Sequence, residues 1–187
     1  MPLFNQLQAK IASVLDELQV PYMMIGGVAT IAYTKPRFTE DVDLTIGVSM
    51  FDAKPVIAAL AKAGIKARTG HSTEMMRNSS LLLAVDRASG VTIDISFSDS
   101  PYEKEAMSRA KKVRRAGKTV RIATAEDLII HKMIAARPRD LQDIEGILLR
   151  QRKLDWTYMN HWLRLFGEVV ERPLTDELEK LRQELDV

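Results

Sequence analysis

Six consecutive residues, Asp41-Val42-Asp43-Leu44-Thr45-Ile46, constrain this chain more than any other stretch. On a strand, Asp41 and Asp43 share one face and Val42 and Leu44 the other, with the two acidic Cα atoms roughly 6.5–7 Å apart. Like charges side by side on an otherwise apolar strand repel, and burying them costs desolvation. A divalent cation such as Mg²⁺ removes both penalties, and carboxylate oxygens are its preferred ligands. The pattern predicts a strand with an acidic face that holds metal.

The approach to this strand carries a second signal. Tyr22 to Ile25 reads as a buried strand, Gly26-Gly27 breaks it, and a short apolar helix is expected over Val28–Tyr33, then a polar turn over Thr34–Thr39. Glycine permits a sharp turn and close approach of a ligand to the main chain. At a helix start the unpaired N–H groups favour an anion such as a phosphate. Gly27 precedes Asp41 by 14 residues. A phosphate cradle followed by an acid pair suits phosphoryl or nucleotidyl transfer; the plain alternative is a glycine turn before a solvated strand end.

A third acid follows. Ser80–Val85 and Val91–Phe97 flank Asp86-Arg87-Ala88-Ser89-Gly90, which predicts a β-hairpin. Asp94 sits between Ile93 and Ile95 on the second strand. An acid there is costly without a partner. It is either a third site carboxylate or a half-exposed residue on an edge strand.

The remaining chain supplies a frame. Leu3, Leu7, Ile11, Val14, Leu15 and Leu18 predict an amphipathic first helix. Met50–Ala63 reads as a helix containing Pro55 and stopping at Gly64, Ile65–Arg68 as a short strand, and Gly70–Ser79 as a loop. After a helix from Pro101 to Ala110, two short basic strands turn at Ala116-Gly117. Lys111, Lys112, Arg114 and Arg115 suit contact with nucleic-acid phosphates, or equally the lysine protection common on exposed strand edges.

Thr124 is placed to cap a helix, with Glu126 and Asp127 at its positive end. Pro138 divides that run, giving a second helix from Arg139 to about Arg150. Lys132, Arg137, Arg139, Asp140 and Asp143 cluster around the break. Lys132 suits a phosphate as a point charge, and Asp140 suits anchoring that lysine or an arginine; ordinary surface ion pairing is the alternative. His131 receives no role. Leu154–Val187 predicts two helices split near Pro173.

With 187 residues and no cysteine, the chain has room for one main domain and no disulfide framework. No apolar run spans a bilayer and the start lacks a secretory signal pattern, so a cytoplasmic location is expected. The expected fold is α/β (α+β): a small mixed sheet flanked by helices, with residues 1–123 as the core and residues 124–187 as a C-terminal helical segment.

The glycine pair, the acid-x-acid strand and the later acid resemble the nucleotidyltransferase superfamily of the DNA polymerase β type. The segment Ala125 to Ile144, AEDLIIHKMIAARPRDLQDI, resembles more narrowly the AbiEii-type nucleotidyltransferases, which include toxins of toxin–antitoxin systems. The likeness covers about Tyr22 to Leu149. It implies an enzyme that moves a nucleoside monophosphate from an NTP to an acceptor, with release of pyrophosphate. By position, Asp41, Asp43 and Asp94 would bind two Mg²⁺ (or Mn²⁺) ions and serve catalysis. Gly26 and Gly27 would hold the triphosphate, and Lys132 and Asp140 would complete the nucleotide site. RNA, such as a tRNA end, is the implied acceptor, and a cognate antitoxin an implied partner. Many relatives place a hydroxyl residue directly after the first glycine or the pair, where this chain has Gly27 and Val28. Phosphate binding would then rest on backbone N–H groups, helped by Thr30 or Thr39. Two alternatives stay open: transfer to a small antibiotic through an acidic pocket drawn from Glu171, Asp176, Glu177 and Glu179, or a non-catalytic nucleotide- or partner-binding protein.

Overall fold

The computed structural model describes residues 2–35, 39–68, 70 and 73–187. Two compact units divide it: Met1–Val28 with Phe38–Ala123, and Ala29–Arg37 with Thr124–Val187. Each is α-helical in part, and the first carries the sheet.

In that first unit the strands are β1 (Tyr22–Met24), β2 (Asp41–Ile46), β3 (Ile65–Ala67), β4 (Leu81–Asp86), β5 (Thr92–Phe97), β6 (Lys111–Arg115) and β7 (Lys118–Ile122). Among the described residues these seven form one mixed sheet in the order β3-β4-β5-β2-β1-β7-β6. The hairpins β4–β5 and β6–β7 are antiparallel, as is β1–β2, whereas β2–β5 and β1–β7 run parallel.

Period-two patterning gives the sheet one apolar side. Val42 pairs with Ile93, Leu44 with Ile95 and Ile46 with Phe97; Leu82 and Ala84 continue the row through β5. Leu44 leads through Met24 to Ile122. All of these side chains are buried, and removing one such side chain from water is worth roughly 1.5–3 kcal/mol. Helix α1 (Pro2–Glu17) lies against β6 and β7, with Leu7, Ile11, Ala12 and Leu15 turned inward. Its Lys10 reaches the β4–β5 turn, 2.6 Å from Asp86 Oδ1. Asp86 also accepts from the Ser89 amide and hydroxyl, so one carboxylate fixes the turn.

Several boundaries differ from expectation for local reasons. Helix α2 spans Gly26–Thr30, so it begins at the glycines rather than at Val28. Of the expected turn after it, residues 36–38 lie outside the described residues. Over Met50–Ala63 there is a 3-10 turn, Met50–Asp52, and then α3 (Lys54–Lys62). Pro55 lacks an N–H and is tolerated only in a first turn, so the helix restarts around it. Part of the expected loop is helix α4 (Thr73–Ser79); residues 71 and 72 of that loop lie outside the described residues. The polar, glycine-free TEMMRNS run contains good helix formers, and propensity decided where pattern was silent. Helix α5 (Pro101–Arg109) starts on Ser100, whose hydroxyl accepts from the Glu103 amide.

The second unit is helical: α6 (Ala125–Ala135), α7 (Pro138–Leu148), α8 (Trp156–Val170) and α9 (Leu174–Glu184). Helix α6 packs on α7, α8 and α9 through buried Leu128, Ile129, Ile130 and Met133. Thr124 caps α6 by accepting from the Asp127 amide at 3.1 Å. The buried Asp127 carboxylate accepts from Thr124 Oγ1 and, at 2.6 Å, from the Tyr158 hydroxyl of α8. Ala136, at φ +48°, ends α6, and Pro138 opens α7 one residue earlier than the pattern suggests. Among the described residues, no helix is long and apolar enough to cross a membrane.

Candidate active site

The central strands bring the three acids to one side. Asp43 and Asp94 are register partners on parallel neighbours β2 and β5, so their Cα atoms lie about 5 Å apart. Asp41 is two residues before Asp43 and pairs with Thr92. All three are half-buried on the side opposite Val42, Leu44, Ile93 and Ile95. Strand β5 is internal, flanked by β4 and β2, so Asp94 is not an edge residue.

Gly26 seats Asp43. Its φ is +56°, and a Cβ at this position would overlap Asp43 Oδ2 and lie 2.7 Å from Cγ and 2.9 Å from Cβ of the same side chain. The Ile25 amide donates to the Asp43 carbonyl at 2.9 Å. The glycine is therefore needed where the main chain meets a carboxylate. Helix α2 is only five residues long, so its dipole is small and the close approach is the stronger reason for the residue. Gly27 is buried beside it.

Thr39 donates from Oγ1 to Asp41 Oδ1 at 3.1 Å, fixing the carboxylate's rotamer. The hydroxyl considered for phosphate thus holds an acid. Thr30 is fully buried.

Oxygen-rich carboxylates on one face suit a hard divalent cation in donor type, and the space left by Gly26 keeps the backbone close to Asp43. Among the described residues, no three acidic or histidine side chains are already drawn together as a metal cage; the backbone provides face and register.

The second unit holds the other two expected site residues as a cluster. Lys132 Nζ, on α6, lies 2.6 Å from Asp143 Oδ2 and 3.1 Å from Asp140 Oδ1, both on α7. Asp140 also accepts from Arg137 Nε at 2.6 Å. Lys132, Asp140 and Asp143 are all buried. Burial would raise the Asp140 carboxyl, but hydrogen bonds from Arg137 and Lys132, with their charges, outweigh it and hold the group below the usual range. Burial, aided by the Lys132 charge, lowers neighbouring His131 to about 4, so this ring is neutral at pH 7. Asp143 was visible only as one of the charges near the helix break, yet it is the closer partner of Lys132. The signal was its spacing: Asp140 and Asp143 are i and i+3, on one face of α7. Asp143 also lines an open groove of about 630 Å³ with Thr34, Lys35, Gln142, Gly146 and Arg150.

The basic residues expected to touch RNA stand apart from the acids. Lys111, Lys112, Arg114 and Arg115 all lie on β6, the edge strand, with β7 and β1 between it and β2.

Solved structures share this fold. An antigenic nucleotidyltransferase-like protein from Paracoccidioides brasiliensis is 18% identical, with a TM-score of 0.57 over 95% of this chain and 92% of that one. The solution structure of the antibiotic-resistance factor ANT(2'')-Ia is 19% identical, with a TM-score of 0.59 over 91% and 95%. The MenT4 nucleotidyltransferase toxin from Mycobacterium tuberculosis is 15% identical, with a TM-score of 0.57 over 92% and 68%. At these identities the likeness establishes the fold. Among curated proteins none matches the sequence significantly. Residues 2–179 match the model of the family described as "Nucleotidyltransferase of unknown function (DUF6036)", and over that span, nearly the whole chain, the protein belongs to this nucleotidyltransferase family.

Proposed function

We propose that this protein transfers a nucleoside monophosphate from an NTP to a hydroxyl of an RNA acceptor. The carrying observation is the register of Asp43 with Asp94, with Asp41 on the same side and Gly26 against Asp43. The acceptor oxygen forms a bond to the α-phosphorus, the bond from that phosphorus to the bridging oxygen breaks, and pyrophosphate leaves. Asp41, Asp43 and Asp94 would hold two Mg²⁺ or Mn²⁺ ions, which when bound neutralise charge on the triphosphate and on the attacking and leaving oxygens. Asp94 would take the acceptor's proton at its carboxylate. The Gly26 and Gly27 amides would hold the triphosphate. Lys132 and Asp140, to which the family resemblance gives a nucleotide-binding role, form an ion-paired cluster of their own in the second unit. Most of the rate enhancement then comes from positioning and charge neutralisation, as is general for phosphoryl transfer.

RNA stands first among acceptors because of the basic edge strand. Of the four acidic tail residues that a small cationic acceptor would need, Glu177 is bound by Arg172 and Glu179 by Arg182, which leaves that alternative less charge to use. The AbiEii-type likeness supports a toxin role, with a tRNA end as acceptor, a cognate antitoxin as partner and a cytoplasmic location.

The test is incubation with each α-labelled NTP, Mg²⁺ and total bacterial RNA, beside an Asp41→Ala/Asp43→Ala control checked for folding. Label should enter RNA only with the intact acids. Label transfer that survives in the control would sink the assignment, and NTP binding without transfer would move the search to other acceptors. A finer expectation concerns Thr39. Removing a hydrogen bond to a charged group costs about 1.5–3 kcal/mol, so Thr39→Val should lower kcat about tenfold or more, while Thr39→Ser stays near wild type. Equal behaviour of the two variants would remove Thr39 from the positioning of Asp41.

A further inference from the structure

β-strand alternation sends the four basic residues of β6 to opposite sides of the sheet. Lys111 pairs with Ile122, Lys112 with Arg121, Val113 with Val120, Arg114 with Thr119 and Arg115 with Lys118. Ile122 pairs with Met24, and Met24 with Leu44. Lys111, Val113 and Arg115 therefore belong to the apolar side of the sheet, the side of Leu44. Lys112 and Arg114 belong to the side of Asp41, Asp43 and Asp94. Exposure follows this division for four of the five residues: Lys112 and Arg114 are exposed and Val113 and Arg115 half-covered, while Lys111, at the start of the strand, is exposed as well; α1 lies against β6. Arg121, also on the acid side by register, is engaged elsewhere: it pairs with Asp16 and stacks over Tyr22.

We infer that Lys112 and Arg114, and not Lys111 and Arg115, form the surface that grips the phosphate backbone of a single-stranded RNA whose end reaches the acids. This rests on the transferase reading above and adds which part of the acceptor is held, and where. Three strand spacings of about 4.8 Å separate β6 from β2. Through the pairings, Lys112 is level with Thr45, two residues along from Asp43. The Cα separation from Asp43 is then about 16 Å for Lys112 and about 19 Å for Arg114. Arg114 Nη1 lies 3.4 Å from Thr119 Oγ1, so its guanidinium leans back over the hairpin and its remaining N–H groups can fork onto a phosphate.

The experiment compares Lys112→Glu/Arg114→Glu with Lys111→Glu/Arg115→Glu. Both change the net charge by the same amount, so a general loss of attraction affects them alike. The probe is a fluorescein-labelled 20-nucleotide single-stranded RNA, followed by anisotropy from 50 to 300 mM NaCl, with thermal melting as the folding control. The acid-side pair should weaken binding about 100-fold at low salt and make the slope of log K against log salt shallower by about 1.4, the value for two lost phosphate contacts on a single strand. The other pair should stay within about threefold of wild type. Equal losses in both variants, no loss in either, or no binding by wild type would overturn the inference. Calorimetric titration with Mg²⁺–ATP on the same proteins reports separately on the nucleotide site. An RNA surface that fails while ATP still binds leaves the transferase reading standing, and the reverse result removes that reading while the surface remains.

Discussion

Gly26→Ala should lower nucleotidyl transfer about 100-fold or more while the protein still folds. The new methyl would enter the space of the Asp43 carboxylate, and its 2.9 Å approach to Asp43 Cβ cannot be relieved by rotating the carboxylate alone. Asp43 and the β1–α2 backbone must separate. A misplacement of about 1 Å in a catalytic constellation costs on the order of 100-fold in rate. Positive φ adds a separate penalty of roughly 1–2 kcal/mol for any residue with a Cβ, which calls for a control. Gly90 has φ +72°, and a Cβ added there would meet no atom within 4 Å. Gly90→Ala should therefore lose similar stability and keep its activity. Steady-state transfer rates and melting curves on both variants separate the effects. If Gly26→Ala transfers label at the wild-type rate, Asp43 either does not stand against this backbone or does not matter to the chemistry.

That contact shows how far local sequence reaches. The acids were legible because each interrupts an apolar, alternating run: Asp41 and Asp43 beside Val42 and Leu44, Asp94 between Ile93 and Ile95. Period-two alternation fixes a face, and an acid on such a face requires a partner. The glycine pair was legible as a break between strand and helix, but its purpose was not, because the Gly26–Asp43 approach joins residues on different elements. The same holds for the register of Asp43 with Asp94, which depends on β2 and β5 running parallel as neighbours. Sheet order also decides the meaning of the basic hairpin. Its turn at Ala116-Gly117 and its two strands follow from composition; that β7 adds in parallel to β1, leaving β6 at the edge and splitting its charges between two sides, is a long-range outcome. Helix α4 was missed for the opposite reason, since short polar helices carry little periodicity to read.

Lys132 poses the second large expectation, and it separates a structural from a nucleotide-binding role. Lys132→Met should destabilise the protein by roughly 3–5 kcal/mol, the usual cost of removing one partner from a buried ion pair. The substitution keeps length and apolar bulk but leaves Asp140 and Asp143 buried without the ammonium between them. Arg137 still serves Asp140, which offsets part of the loss there. For a chain of this size each kcal/mol moves Tm by about 2–4 °C, so a fall of roughly 10 °C is expected. The pH dependence has a definite sign. The Asp140 carboxyl is lowered in the folded protein, so its contribution to stability is present above the unfolded carboxyl pKa and is lost as pH falls through the folded value. In Lys132→Met that contribution is diminished, so the gap between variant and wild type should narrow on acidification below about pH 4, where carboxylates become protonated in both. Adding Asp140→Asn and Asp143→Asn to Lys132→Met removes the two buried negative charges and should restore much of the lost stability. Mg²⁺–ATP titration of this triple variant then decides the role of the lysine. Recovered stability with recovered affinity makes the cluster a structural clamp between α6 and α7; recovered stability with affinity still lost assigns the cluster to nucleotide binding. An unchanged melting point in Lys132→Met would refute the buried ion pair itself.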